Sequence, residues 1–151
     1  LGKNSKEVQE NRLGFAMSLS REYGCWVVLK GARTVVSGPE GQVWLNPAAT
    51  LTLATAGSGD VLAGIIAAFL ARNFPVGEAA RAAVFVHGCA GEAALLDRQG
   101  IVGTLAGDIV LNVPRVVNAL LRFRPPPASM LEFVLPGGMH RVAEMLGYPS
   151  L

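Results

Sequence analysis

The chain has 151 residues, the usual size of a single domain with one hydrophobic core. Hydrophobic residues make up 51% and charged residues 16% of the sequence, which excludes disorder driven by excess charge. The net charge is +2 and both signs are scattered along the chain, so we predict neither a nucleic-acid-binding surface nor an acidic tail.

Apolar runs and cysteines bear on membrane contact and compartment. The longest nearly apolar run, residues 61–71, is shorter than the about 20 residues that a bilayer requires, and no membrane partner is predicted. Cys25 and Cys89 fit neither a metal spacing nor a disulfide framework, which favours a reducing cytoplasm. The chain begins at Leu1, without Met and without the pattern of a signal peptide, so we expect a fragment of a longer protein.

The first half of the chain predicts a helix, a buried strand and a hairpin. Residues 5–23 carry apolar side chains on one rough helical face. Residues 25–29 form a continuous, β-branched apolar run that is typical of a strand in a parallel sheet. Residues 34–37 and 42–45 flank a Gly-Pro-Glu-Gly turn, which predicts a hairpin. Three strands cannot form a doubly covered sheet, so we expect parallel partners for the first strand in upstream sequence.

The second half is predicted to be helical. A polar loop at residues 46–52 precedes it. Three stretches have helical patterns joined by short connectors: residues 61–73, 78–96 and 108–123, the last interrupted by Pro114. Residues 124–127, Arg-Pro-Pro-Pro, form a predicted linker, and residues 128–151 are a tail of unknown role.

The most informative stretch is Thr-Ala-Gly-Ser-Gly-Asp-Val-Leu-Ala-Gly at residues 55–64. Gly57 and Gly59 allow close approach of a ligand just before a helix N-terminus, where free amides favour a phosphate. Asp60 lies beside these amides, as either a helix cap or a catalytic carboxylate. A dinucleotide fingerprint would need glycine where Leu62 stands, and the P-loop lysine is missing, so both of those phosphate motifs are excluded.

Residues 56–64 resemble the Gly-Asp motif of ribokinase-like proteins, and the Val-Leu-Ala-Gly wording resembles that of the NAD(P)H-hydrate dehydratases. Three further segments agree in order and spacing: Val-Leu-Lys-Gly-Ala-Arg-Thr-Val at 28–35, Val-His-Gly-Cys-Ala-Gly-Glu at 86–92, and Asp-Ile-Val…Pro at 108–114. The resemblance implies an α/β fold with a central, mainly parallel sheet flanked by helices. Residues 1–123 would be the C-terminal part of that domain.

The resemblance implies a lyase of metabolite repair that dehydrates hydrated NADH or NADPH at the expense of ADP or ATP. Asp60 would contact the substrate and take the proton from the ring hydroxyl as that hydroxyl attacks the nucleotide's terminal phosphoryl group, after which phosphate would leave. The backbone amides of Gly57, Ser58 and Gly59 would hold the phosphoryl group. Phosphoryl transfer usually requires Mg²⁺, so we expect it with the nucleotide. We also expect a homo-oligomer and an NAD(P)H-hydrate epimerase as fused or separate partner.

A second segment matches the family's nucleotide-contacting residues: Lys30, Gly31, Ala32, Arg33 and Thr34. Lys30 suits a phosphate because it is a compact cation at a strand end, and a lysine extending to solvent is the alternative. His87 is either a packing histidine or a ligand-binding residue. Trp26 and Trp44 are predicted to lie in the core or on a sheet face.

Two departures from the family leave other functions open. The family carries a Gly-Asn pair where this chain reads Ala-Ala-Thr-Leu-Thr at residues 48–52, and an upstream Pro-His-Pro-Gly-Glu-like segment has no counterpart. The alternatives are a small-molecule kinase of the same fold, acting on a sugar or vitamin, and a truncated homologue that binds nucleotide without turnover. No carboxylate cluster in the sequence marks a metal site.

Overall fold

The structure, a computed structural model, describes residues 5–48, 51–98 and 103–123. The predictions for residues 49–50 of the altered loop and for the linker and tail at 124–151 lie outside the described residues. The described elements are α1 (Ser5–Glu10), α2 (Arg12–Tyr23), β1 (Val27–Leu29), β2 (Val35–Ser37), β3 (Val43–Leu45), a 3-10 turn (Leu51–Ala54), α3 (Ser58–Ala71), α4 (Val76–Asp97) and α5 (Ala106–Arg122).

The first predicted helix forms as two helices that meet at Asn11. The Asn11 side chain accepts a hydrogen bond from the Gly14 amide over 3.1 Å and so caps α2. An asparagine that bonds to nearby backbone in this way favours a helix start over a helix interior, which explains the break. Gly24 ends α2 in the left-handed conformation with φ of 58°, as glycine does at many helix ends.

The sheet contains β1, β2 and β3 in that order, and both strand pairs are antiparallel. Val36 of β2 lies between Val28 and Trp44. The prediction of a mainly parallel sheet is therefore not met within the described residues. The physical reason is the length of the connections. Five residues join β1 to β2 and five join β2 to β3, whereas a parallel connection needs a crossover of about a dozen residues or more. The apolar run at 25–29 predicted the strand but not its pairing, and β1 is half-buried.

Helix α4 lies at the centre of the hydrophobic core, between α3 and α5. Its buried face is rich in alanine and glycine, which lets the neighbouring elements approach closely. The buried core cluster consists of Val36, Leu62, Ile65, Ala80, Ala83, Val84, Val86, Ala90, Ile109 and Val116. By length and composition alone α4 could cross a membrane, but 56% of its most apolar window is buried within this fold.

Two tryptophans dock the sheet on the start of α4. Trp26 and Trp44 stack with ring centroids 5.5 Å apart, and the Arg81 guanidinium lies 4.4 Å from the Trp44 centroid. Gly77 lies against Trp26 so closely that a Cβ there would come within 2.4 Å of the indole. Both tryptophans pack against the core cluster, which confirms their predicted place.

Helices α3 and α5 differ from their predicted forms at one point each. Helix α3 begins at Ser58, three residues before the predicted start, so the glycine-rich stretch is itself part of the first turn. Helix α5 continues through Pro114 instead of being interrupted there. Pro114 removes the amide that would bond to the Val110 carbonyl, and both residues are exposed, so the loss falls on the solvent side.

The loop after β3 lies directly on α4. The Asn46 side-chain amide donates to the carbonyls of Ala48 and Val84, over 3.1 and 3.2 Å. Gly88 allows this contact, because a Cβ there would come within 2.5 Å of the Ala48 side chain. Thr52 donates to the Gly91 carbonyl over 2.9 Å. Both ends of the altered loop at 48–52 are therefore anchored to α4.

Candidate functional site

The first turn of α3 is built on Gly57, which is the N-cap residue with φ of 81°. Its carbonyl accepts from the amides of Asp60 and Val61, over 3.1 and 3.2 Å, and this closes the first turn. The Gly57 φ lies in the left-handed region that side chains disfavour, which explains the glycine.

Asp60 is the third helical residue of α3 and its side chain is exposed. The cap is Gly57, and it makes no side-chain cap bond, so the cap interpretation of Asp60 is wrong. A carboxylate in the first turn still interacts favourably with the helix dipole. Asp60 is therefore an accessible acid group at a helix start, which is compatible with the base role that the family resemblance implies.

The amides of the glycine-rich turn are not equivalent. The Ser58 amide donates to the Thr55 carbonyl over 3.3 Å, so it is already engaged. Among the described residues no group accepts from the amides of Gly57 and Gly59, and both glycines are exposed. Two unpartnered amides at a helix N-terminus form a favourable place for an anion. Phosphate binding by this turn stays a prediction, and it rests on the two glycines more than on Ser58.

Lys30 reaches the start of α3 from the end of β1. Its Nζ donates to Ser58 Oγ over 2.8 Å, and Ser58 Oγ donates in turn to the Leu53 carbonyl over 2.7 Å. Since an ammonium can only donate, Ser58 Oγ accepts from Lys30 and directs its own hydroxyl proton to the Leu53 carbonyl. A Cβ at Gly59 would lie 4.0 Å from Nζ, which places the ammonium beside the first turn.

Burial and charge act in opposite directions on Lys30. Partial burial lowers the pKa of its ammonium, and the negative charge of Asp60 opposes that change. The two side chains thus carry opposite charges that interact at the start of α3. A cation beside a carboxylate at a helix start is compatible with the phosphate-binding and proton-accepting roles that the family resemblance implies for these two residues.

His87 joins the same turn from α4. Its Nε2 lies 2.8 Å from the Ser58 carbonyl oxygen, and since a carbonyl only accepts, Nε2 carries the proton. The residue is 2% exposed. Burial, and next the positive charge of Lys30, lower the pKa of the imidazole, while the bond to Ser58 opposes this. A neutral His87 therefore holds the Ser58 backbone in place.

The segment that follows Lys30 is an exposed loop with a buried end. Gly31, Ala32 and Arg33 are exposed, and Thr34 is buried with its Oγ1 3.3 Å from the Gly31 carbonyl. Arg33 has φ of 60°, a left-handed conformation that is uncommon for a residue with a side chain. The structure places Lys30 at α3 but gives no contact of Arg33 with that turn, so the nucleotide-contacting role of the loop stays a prediction.

The start of α5 lies next to the start of α3, since a Cβ at Gly57 would come within 3.3 Å of the Ala106 Cβ. Asp108 in the first turn of α5 accepts from the Leu105 amide over 2.8 Å and pairs with Arg98 over 2.7 Å. The bond to Arg98, together with the amide bond, lowers the pKa of the Asp108 carboxyl. Asp108, part of one family-like segment, therefore ties α5 to the end of α4.

Sequence reasoning missed three contacts that the fold creates. Two of them end on Ser58: the bond from Lys30 to its hydroxyl and the bond from His87 to its carbonyl. The third is the pair of bonds from Arg12 to the carbonyls of Ala32 and Arg33. All three join elements that are distant in the chain. No pattern along the chain names these partners.

No described residues form a group of three or more His, Cys, Asp or Glu side chains that would hold a metal ion. The chemistry of the site is instead that of a glycine-capped helix start with an ammonium and a carboxylate. This combination is compatible with the class of proteins that bind a phosphorylated ligand and accept a proton beside it.

The comparisons with known proteins identify the class more closely. Residues 1–115 match the carbohydrate-kinase-type family described as NAD(P)H-hydrate dehydratase, and the chain belongs to this family. It is 42% identical over 120 residues to a bifunctional NAD(P)H-hydrate repair enzyme of Moorella thermoacetica, covering 80% of this chain and 22% of that protein. It is 42% identical over 110 residues to an ADP-dependent (S)-NAD(P)H-hydrate dehydratase of Neisseria meningitidis, covering 72% and 37%.

A solved structure gives the same fold. An ADP/ATP-dependent NAD(P)H-hydrate dehydratase from Bacillus subtilis, crystallised with ATP and Mg²⁺, superposes with a TM-score of 0.71 and 32% identity. The match covers 76% of this chain and 41% of that one. The family that the sequence motifs suggested is thereby confirmed. The chain spans less than half the length of each of these three proteins.

Proposed function

We propose that this chain supplies the nucleotide-binding and proton-accepting part of an ADP- or ATP-dependent NAD(P)H-hydrate dehydratase, a hydro-lyase of metabolite repair. The observation that carries the proposal is the bond from the Lys30 ammonium to Ser58 Oγ, which brings a cation, two unpartnered amides and Asp60 to one helix start. The named activities of the relatives support the same reaction.

The proposed reaction begins with the hydroxyl of the hydrated nicotinamide ring. Its oxygen forms a bond to the terminal phosphorus of the nucleotide, the bond from that phosphorus to the leaving nucleotide breaks, and Asp60 takes the hydroxyl proton. Phosphate then leaves the ring with the electron pair of the carbon–oxygen bond. Loss of a proton from the neighbouring ring carbon restores the dihydronicotinamide double bond.

Each residue of the site has one task in this scheme. The amides of Gly57 and Gly59 bind the phosphoryl oxygens, and Lys30 balances their charge. Ser58 and His87 keep the turn and the ammonium in place without touching the substrate. The exposed side chain of Asp60 is the proton acceptor. Such positioning contributes because the reacting atoms must be aligned before the phosphoryl group moves.

The proposal takes ADP or ATP as co-substrate, in keeping with the ADP-dependent relative and with the Bacillus protein that was crystallised with ATP and Mg²⁺. The described residues include no cluster that would hold Mg²⁺ by itself. Within the described ranges the chain therefore makes no resident metal centre, and Mg²⁺ would arrive with the nucleotide.

The proposal extends to the surroundings of this chain. In a whole enzyme of this family, the outer edge of β1 would pair with a parallel strand from the part of the relatives that this chain does not span. An NAD(P)H-hydrate epimerase would be its fused or separate partner, and like chains would associate. Cys25 and Cys89 are both unpaired thiols, which supports placing the protein in the cytoplasm.

A product assay tests the proposal. The full chain is incubated with hydrated NADH and either ADP or ATP, and the recovery of NADH absorbance is followed beside the release of inorganic phosphate. Equal amounts of NADH and phosphate are expected. A stable phosphorylated product without NADH would favour a kinase of this fold, and nucleotide binding without either product would favour a homologue that does not turn over.

A further inference from the structure

Arg12 binds the backbone of the loop that follows Lys30, residues 31–34. It is the first residue of α2, and its two terminal nitrogens donate to the carbonyls of Ala32 and Arg33, over 2.6 Å each. The two bonds run from one planar guanidinium to two successive peptide groups. A forked donor of this kind fixes an orientation, whereas a single ammonium fixes only a distance.

The loop is shaped around this guanidinium. A Cβ at Gly31 would come within 2.7 Å of Arg12 Cζ, so a larger residue there would require the guanidinium to shift. Arg33 takes a φ of 60°, which is unfavourable for an arginine by itself and requires support from its surroundings. Arg12 Nε is buried and has no partner among the described residues, so the side chain is held by its two terminal nitrogens.

The two carbonyl bonds also determine where the loop amides point. The described peptide bonds are all trans, and in a trans peptide the N–H points opposite to the carbonyl of the same group. With the carbonyls of Ala32 and Arg33 directed at Arg12, the amides of Arg33 and Thr34 are directed away from it. Successive amides that point the same way next to a left-handed residue form a concavity that favours an anion.

We propose that Arg12 is a positioning residue for nucleotide binding: its guanidinium turns the amides of Arg33 and Thr34 toward the nucleotide. This inference rests on the proposed function and adds to it a residue outside the predicted segments. Lys30 and Asp60 are held separately, by Ser58 and by α3. Loss of Arg12 therefore weakens nucleotide binding while the chemical step continues at its usual rate.

Two variants of the full chain test the forked pair of hydrogen bonds that Arg12 makes to the Ala32 and Arg33 carbonyls, and a third controls for the loss of an arginine. Arg12→Lys keeps the charge but not the fork, Arg12→Ala removes both, and Arg21→Lys changes an exposed arginine at the other end of α2. For each, trypsin cleavage after Arg33 measures the order of the loop. The dissociation constant for ADP and the split between KM and kcat measure its function.

Both Arg12 variants are expected to be cleaved after Arg33 faster than the wild type and to bind ADP at least about tenfold more weakly, the effect of losing one charge-assisted hydrogen bond. Their kcat is expected to stay within about twofold, and Arg21→Lys to match the wild type in every measurement. If Arg12→Ala does not fold, Arg12→Lys carries the test.

Two results would overturn the inference: cleavage that does not change, or faster cleavage with unchanged affinity for ADP, which would leave Arg12 a purely structural role. A failure of the proposed function has a different signature. In that case the wild-type chain itself binds no ADP, whatever the Arg12 variants do to cleavage, and the nucleotide role of Arg12 falls with it.

Discussion

The ammonium of Lys30 and the hydroxyl of Ser58 are joined by a hydrogen bond of 2.8 Å between residues 28 positions apart in the chain. Ser58 is 3% exposed, and its hydroxyl donates a hydrogen bond to the Leu53 carbonyl. The position of the lysine thus depends on one buried hydroxyl. A helix start that would otherwise offer two amides gains a fixed positive charge beside them.

Replacing Ser58 by alanine is expected to release Lys30 and to weaken nucleotide binding about tenfold, since the acceptor of the ammonium is lost. The free energy of unfolding is expected to fall by about 1–3 kcal/mol, because the Leu53 carbonyl loses its donor. Calorimetric titration with ADP and denaturant unfolding measure the two effects. Ser18→Ala, on the exposed side of α2, is the matched control and should change neither quantity. Unchanged ADP affinity in Ser58→Ala would contradict the positioning role.

Replacing Asp60 by asparagine is expected to lower kcat by about 10²–10⁴, the usual contribution of a general base, and to leave ADP affinity within a few-fold. Because Gly57 and not Asp60 caps α3, the free energy of unfolding should fall by no more than about 1 kcal/mol, the size of a helix-dipole interaction. Turnover, titration and melting together measure this. Glu22→Gln, an exposed residue of α2, controls for the loss of a charge. A large loss of stability with normal turnover would show a structural role for Asp60.

His87 predicts a pH dependence of stability. Its pKa is lowered in the folded state from its ordinary value of 6.5. As the pH falls below 6.5, the unfolded chain takes up a proton that the folded chain does not, so the free energy of unfolding decreases until the folded-state pKa is reached. At pH above 6.5 this contribution to stability is fully present.

The variant His87→Gln keeps a side-chain donor for the Ser58 carbonyl and removes the titration, whereas His87→Leu removes both. Unfolding measured from about pH 8 to about pH 5 should therefore show a steeper loss of stability in the wild type than in either variant. At the upper end of the range His87→Gln should keep most of the ADP affinity and His87→Leu should lose part of it. Equal pH profiles in the wild type and both variants would contradict the neutral, bonded histidine.

Two glycines of the same turn are expected to respond differently to alanine. Gly57 has a φ of 81°, which is unfavourable for alanine, and a Cβ there would lie 3.3 Å from the Ala106 Cβ. Gly57→Ala should therefore lower the free energy of unfolding by about 1 kcal/mol or more. At Gly59 a Cβ would meet nothing nearer than Lys30 Nζ at 4.0 Å, so Gly59→Ala should keep the wild-type melting temperature and weaken ADP binding. If Gly59→Ala bound ADP as well as the wild type, the phosphate would not approach this turn closely enough for a Cβ to obstruct it.

Sequence reasoning predicted the elements better than their arrangement. The hairpin at 34–45 and the helices after residue 58 follow from turn residues and apolar periodicity, which are local properties. The pairing of β1 is not local. An apolar run of the same composition occurs in parallel and antiparallel sheets, and the short connector to β2 decided for the antiparallel pair.

The candidate site divides in the same way. Gly57, Gly59 and Asp60 were found because a glycine-rich stretch before an apolar helix has a physical meaning along the chain. The bonds from Lys30 and His87 to Ser58 were not, since they depend on how β1 and α4 pack against the start of α3. Asp60 is not the cap because the backbone of Gly57 takes that position without a side chain.

An ADP titration of the isotope-labelled chain, followed by the backbone amide resonances, tests the central claim most directly. We expect the largest shifts at the amides of Gly57 and Gly59. The shifts of these two amides should be smaller with AMP, which lacks the outer phosphate, and should be lost with either nucleotide in Lys30→Ala. Shifts confined to other parts of the chain, or equal shifts with AMP and ADP at Gly57 and Gly59, would show that this helix start does not bind the terminal phosphate.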